Sequence, residues 1–307
     1  LNPKVSINLC CYNSEPFLRD TLESIINQTY EDWELVIIND GSTDSTEAIV
    51  KEYIEKGYPI VYHYQKNHGL GYSRNEALKR SSGEFIAFID HDDMWLPYKL
   101  EKQVAIFKHH EDIDFIYSNY FILDKKKRKA HIGNQPCGFV FEQFLHQYPV
   151  GIMTVLLRKK VLNKMTEYFD VKLNLCEEYD FFMRVLINSK AYYIDDVLAV
   201  YRIHPNMLSL RFRENYVNEW DYVSAKLKKL GININAKSFE AHEIEMSYLK
   251  ARIKMSQGDL KEAIGYLKQY KFHNHKFLIL YLAAHLPKTL WFLLEPLWRS
   301  DIFFRKL

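Results

Sequence analysis

Residues 34–44 read ELVIINDGSTD. Leu35, Val36, Ile37 and Ile38 form an unbroken apolar run with no alternation. Such a run marks a strand buried on both faces, as in a parallel sheet covered by helices. It stops abruptly at Asn39-Asp40-Gly41-Ser42-Thr43-Asp44. That cluster reads either as a turn plus helix N-cap or as a loop that faces a ligand.

The same texture repeats on both sides. Residues 5–10, 60–64 and 85–89 read as further strands, and 16–27, 43–55 and 70–80 as the helices between them. Repeated β-α-β units predict an α/β layer fold, a Rossmann-like, mostly parallel sheet flanked by helices. The pattern continues with a helix over 97–110 and a strand over 115–123. The basic run from Asp124 to Lys129 then reads as a solvated hairpin tip, or as a contact for an acidic substrate or membrane surface. A strand over 153–157, helices over 159–167 and 178–188, and one or two strands over 191–203 complete this part. From about residue 210 glycine almost vanishes and amphipathic helices take over. The expected organisation is an α/β catalytic-type domain over 1–210 and a helical C-terminal region over 211–307. Within the latter, residues 251–270 resemble half of a tetratricopeptide hairpin, turning at Gly258-Asp259.

The chain has 307 residues, 48% hydrophobic and 26% charged, which excludes a disordered chain. Lys plus Arg number 41 against 39 Asp plus Glu. A net charge of +2 is too small for a general polyanion binder, so no nucleic-acid partner is expected. The high aromatic share, 15%, can build large cores and flat stacking surfaces. Cys10, Cys11, Cys137 and Cys176 have neither zinc nor disulfide spacing and read as reduced thiols. The start at Leu1 lacks the pattern of a signal segment, and no apolar run reaches the ~18–20 residues of a membrane span. A cytoplasmic protein is expected.

Three strands end in polar clusters: Cys11-Tyr12-Asn13, the 39–44 segment, and Asp90-His91-Asp92-Asp93. Parallel sheets bind ligands beyond the carboxyl ends of their strands, so the three should converge on one crevice. Asp90 and Asp92, two apart at a strand end, can point the same way. At ~4 Å and an effective dielectric near 20, one such repelling pair costs roughly 4 kcal/mol. A divalent cation relieves that cost, and oxygen ligands of this hardness suit Mg²⁺ or Mn²⁺ completed by phosphate and water. The plainer reading is an acidic surface loop with Asp93 as a helix cap. His91 reads as a spacer. Gly69-Leu70-Gly71 opens a helix carrying Arg74 and Asn75, where amide donors and the guanidinium could meet a phosphate.

At these residues the sequence resembles the family 2 glycosyltransferases of GT-A fold. The resemblance runs through Tyr12-Asn13, LESIINQT at 22–29, ELVIINDGSTD at 34–44, GYSRN at 71–75, SGEF at 82–85, FIDHDD at 88–93 and WLP at 95–97. It covers about residues 4–210. It implies that Tyr12 stacks on the base of the donor, with Asn13 beside it, and that Asp40 hydrogen-bonds that base, usually uracil. It puts Asp90 near the ribose and Asp92 on the metal. Arg74 matches a frequent arginine of less uniform role. Asn39 and Cys10 stand where many relatives have Asp, and Thr or Pro, respectively. The segment CEEYDFFMR at 176–184 resembles the motif that carries the base of an inverting transfer. The base falls on Glu178, with Glu177 and Asp180 as alternatives; helix N-terminal acids are the plainer reading. In YRIH at 201–204, His204 could approach the metal or diphosphate, or be a hydrogen-bonded core histidine.

The resemblance implies a UDP-sugar donor, Mn²⁺ or Mg²⁺, and a glycan, lipid-linked or glycoprotein acceptor in a bacterial setting. No QxxRW motif follows, which points to transfer of single sugars. A sugar nucleotidyltransferase is a rival, but it would carry a glycine-rich basic loop where Cys11-Tyr12-Asn13-Ser14 stands. A non-catalytic helical scaffold is another. Residues 276–307 combine apolar bulk with Trp291, Trp298 and terminal basic residues. They read either as packing helices, including a homo-oligomer contact, or as a peripheral membrane surface.

Overall fold

The computed structural model describes residues 4–124, 127–129, 133, 135–208, 215–230 and 235–286. The expectations for Trp291 and Trp298 lie outside them. The chain divides into two compact units. One holds the residues up to Val140 together with Val150–Met207; the other holds Phe141–Pro149 and the chain from Leu208.

The first unit is built on a nine-stranded mixed sheet. Strands β1 (Val5–Cys11), β2 (Trp33–Asp40), β3 (Ile60–Gln65) and β4 (Phe85–Asp90) form its parallel part. β5 (Met94–Trp95), β6 (Ile113–Leu123), β7 (Lys127–Lys129), β8 (Leu156–Arg158) and β9 (Lys190–Arg202) extend it. The order is β3-β2-β1-β4-β8-β6-β9-β5, with β7 paired to β6. The long ladders are parallel, β6 with β9 included, whereas β8 runs antiparallel to both β4 and β6. The expected α/β fold is therefore present, with antiparallel strands inserted in its second half.

Helices cover both faces, which is why β1, β2 and β4 read as continuous apolar runs. Val5, Ile7, Leu9, Leu35, Ile37, Phe85 and Ala87 share one core with α1 (Leu18–Ile26), α2 (Thr46–Glu55) and α4 (Lys99–His109). On the opposite face Cys10, Val36 and Ile38 meet Ala77 of α3 (Leu70–Arg80). Phe88 there packs edge-on against Phe169 and against Phe181 and Phe182 of α6 (Glu177–Leu186). Glu34, buried at the amino end of β2, fastens this end of the sheet. It accepts from Ser6 Oγ (2.5 Å) and the Ser82 amide (2.6 Å) and pairs with Lys4 (2.6 Å).

Two local expectations differ. The helix expected over 159–167 is a 3₁₀ segment, Lys159–Lys164, because its buried apolar residues Val161 and Leu162 are adjacent and give no α-helical stripe. The strand expected over 153–157 starts with a 3₁₀ turn, Ile152–Thr154, before β8. Both Thr154 N and Thr154 Oγ1 donate to the Gly151 carbonyl and close that turn. The basic run beyond Asp124 enters β7, so β6 and β7 form a hairpin.

The second unit contains α5 (Phe141–His146), α7 (Tyr216–Lys229), α8 (Ala236–Gln257), α9 (Leu260–Lys268) and α10 (His275–Ala283). The 141–149 segment, expected within the first domain, joins these helices through polar contacts. Glu142 accepts from Ser238 Oγ (2.8 Å), and the Leu145 carbonyl lies 2.7 Å from His242 Nδ1. The α8–α9 hairpin turns at Gly258, whose φ of +82° favours glycine, and Asp259 caps α9 by accepting from the Glu262 amide.

Candidate active site

Register aligns the polar strand ends. Cys10 of β1 lies beside Asp90 of β4, Cys11 beside Asn39, and Asp40 beside Gln65. The three clusters expected to converge therefore end on one row.

On one side of the row, loops are fastened by side chains. Asn13 adopts a left-handed backbone with φ of +50°. Its amide donates to Ser42 Oγ (2.9 Å), and its Oδ1 accepts from the Thr43 amide (2.9 Å). Asn13 thus ties the β1 loop to the β2 loop. Tyr12, held beside it, is 51% exposed. Asp40 is buried. Its Oδ1 accepts from Gln65 Nε2 (2.7 Å) and the His68 amide (2.9 Å), and its Oδ2 from the Gly69 amide (2.8 Å). That leaves lone-pair capacity on Oδ2 for a ligand. The Gly69 amide is committed to Asp40, so the start of α3 does not offer it to a phosphate.

Arg74 occupies the centre. It is 4% exposed and donates to Asp90 Oδ1 (2.8 Å) and Glu177 Oε1 (2.6 Å). Burial works against its charge, but the two carboxylates outweigh that and raise its pKa further. The guanidinium is engaged by protein acids rather than presented to solvent.

The motif over 176–184 places three acids in the first turns of α6. Glu177 is buried on Arg74, and Asp180 is buried in an ion pair with Arg184 (2.6 Å). Glu178 is half-buried. Burial pushes its carboxyl up to about 8; Arg74 opposes this, and Glu177 and Asp90 add to it.

At the other end of the row, Asp92 Oδ2 lies 2.8 Å from His204 Nε2. Burial would raise the Asp92 carboxyl, yet the His204 hydrogen bond and the His91 and His204 charges outweigh it and hold it low. His204 Nδ1 is buried without a hydrogen-bond partner among the described residues. Here the sequence reading missed two residues. Arg202 donates its backbone amide to Asp93 Oδ1 (3.0 Å), its Nε to the Asp92 carbonyl (3.0 Å) and its Nη2 to Asp20 (2.8 Å). Its guanidinium also lies over the Phe17 ring, 4.8 Å from the centroid, and that ring contacts His204 at 4.5 Å. Asp93 is a buried acceptor joining β4 to β9, with its carboxyl pushed well up by burial and by Asp92 and Asp90; it does not cap a helix on the surface. The signal for Arg202 was its place two residues before His204.

A divalent cation fits the donor set. Asp92 and His204 offer a carboxylate oxygen and an imidazole nitrogen already aimed at each other, a pairing suited to Mn²⁺. Among the described residues, no three His, Cys, Asp or Glu side chains converge to hold an ion alone. The remaining ligands would come from phosphate and water.

The sequence profile described as glycosyl transferase family 2 matches residues 6–164. The chain belongs to this family. It is 31% identical over 222 residues to the Escherichia coli UDP-Glc:alpha-D-GlcNAc-diphosphoundecaprenol beta-1,3-glucosyltransferase WfgD, covering 71% of this chain and 84% of the relative. It is 32% identical over 227 residues to an uncharacterised glycosyltransferase of Methanocaldococcus jannaschii, with coverages of 70% and 74%. In fold it is similar to Staphylococcus aureus TarS residues 1–349 in complex with UDP, with a TM-score of 0.67, 19% identity, and coverage of 99% of this chain and 89% of that one. The Pyrobaculum calidifontis mannosyltransferase PcManGT, in complex with GDP-Man and Mn²⁺, gives a TM-score of 0.67 at 16% identity, with coverages of 99% and 84%. The fold is GT-A-like, and the protein is a glycosyltransferase that uses a nucleotide-sugar donor. Nucleotidyl transfer and a scaffold without activity are thereby set aside.

Replacing one partner of a buried charge network strands the others. Arg74→Met is expected to lower unfolding stability by about 3–5 kcal/mol in urea titrations. A loss below ~1 kcal/mol would show that the bridge does not hold β4 to α6.

Proposed function

We propose that the protein transfers single sugars, with inversion, from a UDP-sugar to a hydroxyl of a glycan, lipid-linked or glycoprotein acceptor. The observation that carries this reading is the Arg74 bridge, which sets the base helix against the β4 acids. WfgD, named for a UDP-glucose donor and a diphosphoundecaprenol-linked acceptor, supports both substrate classes. TarS in complex with UDP-GlcNAc, and PcManGT with GDP-Man and Mn²⁺, support a nucleotide diphosphate donor and a divalent metal.

In this reading Tyr12 offers its exposed ring to the base, and Asn13 shapes the loop beneath it. Asp40 accepts from the base with its remaining lone pair, while Asp90 faces the ribose. Arg74 holds Asp90 rather than a phosphate. Asp92 and His204 would hold Mn²⁺ or Mg²⁺, which when bound compensates charge on the departing diphosphate. The acceptor oxygen attacks the anomeric carbon as the bond from that carbon to the diphosphate oxygen breaks. The hydroxyl proton passes to a Glu178 carboxylate oxygen, and UDP leaves with the bonding electrons. Among the three acids of α6, Glu177 and Asp180 are committed to arginines, which favours Glu178 as the base.

A base must be ionised to act. With its pKa raised to about 8, Glu178 is mostly protonated at neutral pH, so turnover should climb as pH rises through about 8. Glu178→Gln should lose ~10²–10⁴-fold in turnover and keep donor affinity. A fully active variant, or a rate flat from about pH 6 to 9, would place the base elsewhere.

We further propose a peripheral, cytoplasmic-face membrane contact through the second unit. Among the described residues no helix is long and apolar enough to cross a membrane. α10 buries Phe277, Leu280 and Ala283 but turns Ile279 and Leu282 outward, each 57% exposed, with Phe272 at 79% just before it. No Asp or Glu occurs between Glu262 and Glu295, while Lys268, Lys271 and Lys276 flank the apolar stripe. Apolar side chains ringed by lysines suit anionic headgroups. A symmetric dimer through this face would set the lysines against their own copies. Full-length protein should sediment with vesicles of phosphatidylglycerol and phosphatidylcholine, and Ile279→Glu with Leu282→Glu should abolish this. Retained binding, or loss of a dimer in place of lost vesicle binding, would refute the membrane assignment.

A further inference from the structure

The acidic loop after β4 is held at one backbone group after another. The Asp93 amide closes the turn on the Asp90 carbonyl (3.1 Å). Thr21 Oγ1 of α1 lies 2.8 Å from both the His91 and the Asp93 carbonyl. The carbonyl between them, that of Asp92, accepts from Arg202 Nε (3.0 Å). Three successive carbonyls are thus held by side chains of α1 and β9. Water can satisfy the carbonyls of a surface loop. What anchoring by distant segments adds is a fixed direction for the Asp92 side chain.

Arg202 is the last residue of β9, and His204 follows two residues later. The Arg202 amide donates to Asp93 Oδ1 (3.0 Å), which pins the strand end to the same loop. Its Nη2 donates to Asp20 (2.8 Å) and lies 3.4 Å from Met94 Sδ. Its guanidinium covers the Phe17 ring at 4.8 Å, and that ring packs on His204 with 4.5 Å between centroids. One side chain therefore reaches both members of the Asp92–His204 pair, one through a carbonyl and the other through a ring. Asp20 answers its charge within the protein. A lysine lacks the planar fork needed to engage the Asp92 carbonyl, Asp20 and the Phe17 face together.

We propose that Arg202 is a positioning residue for the cation site: it fixes the Asp92 loop and the His204 ring against each other and touches neither the cation nor the donor. The inference rests on Asp92 and His204 being the cation ligands. It adds that affinity for the cation is set by a residue behind them. Groups that orient metal ligands typically carry ~10–100-fold in metal affinity.

The test counts free Mn²⁺ by electron paramagnetic resonance during titration of the full-length protein with UDP present, and measures UDP affinity without metal by calorimetry. Arg202→Met should weaken Mn²⁺ binding by ~10–100-fold and leave metal-free UDP affinity unchanged. Phe17→Leu should weaken Mn²⁺ binding in the same direction while changing no charge. Wild-type Mn²⁺ affinity in folded Arg202→Met would overturn the inference. So would a matching loss of metal-free UDP affinity, which would make Arg202 a diphosphate ligand or a general brace. If Arg202→Met does not fold, Arg202→Lys decides: it keeps the charge but not the fork, and wild-type Mn²⁺ affinity there overturns the role. Asp92→Ala and His204→Ala keep the two ideas apart. Unmoved Mn²⁺ affinity in both overturns the cation site itself, whatever the Arg202 variants do. A loss in either, with wild-type affinity in Arg202→Met, overturns the positioning role only.

Discussion

A buried guanidinium holds the acidic segments of the site together. Arg74 of α3 binds both Asp90 of β4 and Glu177 of α6. Without that cation, two carboxylates from distant parts of the sequence would repel across a poorly solvated gap. With it, the surplus of acids over arginine falls on Glu178, whose carboxyl is raised for that reason as well as by burial. The same charge arrangement thus bears on both the cohesion of the site and the raised carboxyl of Glu178.

A second fastening works at the far end of the row. Arg202 and Asp93 join β9 to β4 and so carry His204 to Asp92. These contacts span about a hundred residues of sequence. The two-donor set they create is too small to hold an ion alone, which suits a site where the nucleotide brings the remaining oxygens.

Much of this was legible in the sequence because the relevant physics is local. Strands covered on both faces show as unbroken apolar runs, and parallel register gathers their carboxyl ends, so the alignment of the strand ends at Cys11, Asp40 and Asp90 followed from the pattern at 5–10, 34–44 and 85–93. What was not legible depends on contacts between distant segments. Arg74 read as a phosphate ligand because nothing in its neighbourhood announces Glu177. The antiparallel insertion of β8, the 3₁₀ turn at 152–154 and the membership of 141–149 in the helical unit leave no periodic trace. The choice among Glu177, Glu178 and Asp180 was open in sequence, since all three lie in the opening turns of one helix; only their arginine partners distinguish them.

In the proposed site, one crevice at the strand ends binds a nucleoside diphosphate together with a cation at Asp92 and His204. Calorimetric titration of UDP, with and without Mn²⁺, into the wild-type protein and Asp92→Ala tests it most directly. Mn²⁺ should tighten UDP binding at least about tenfold in the wild type, a gain of ~1.4 kcal/mol, and Asp92→Ala should lose that gain. Equal affinity with and without Mn²⁺, or no UDP binding under either condition, would contradict it.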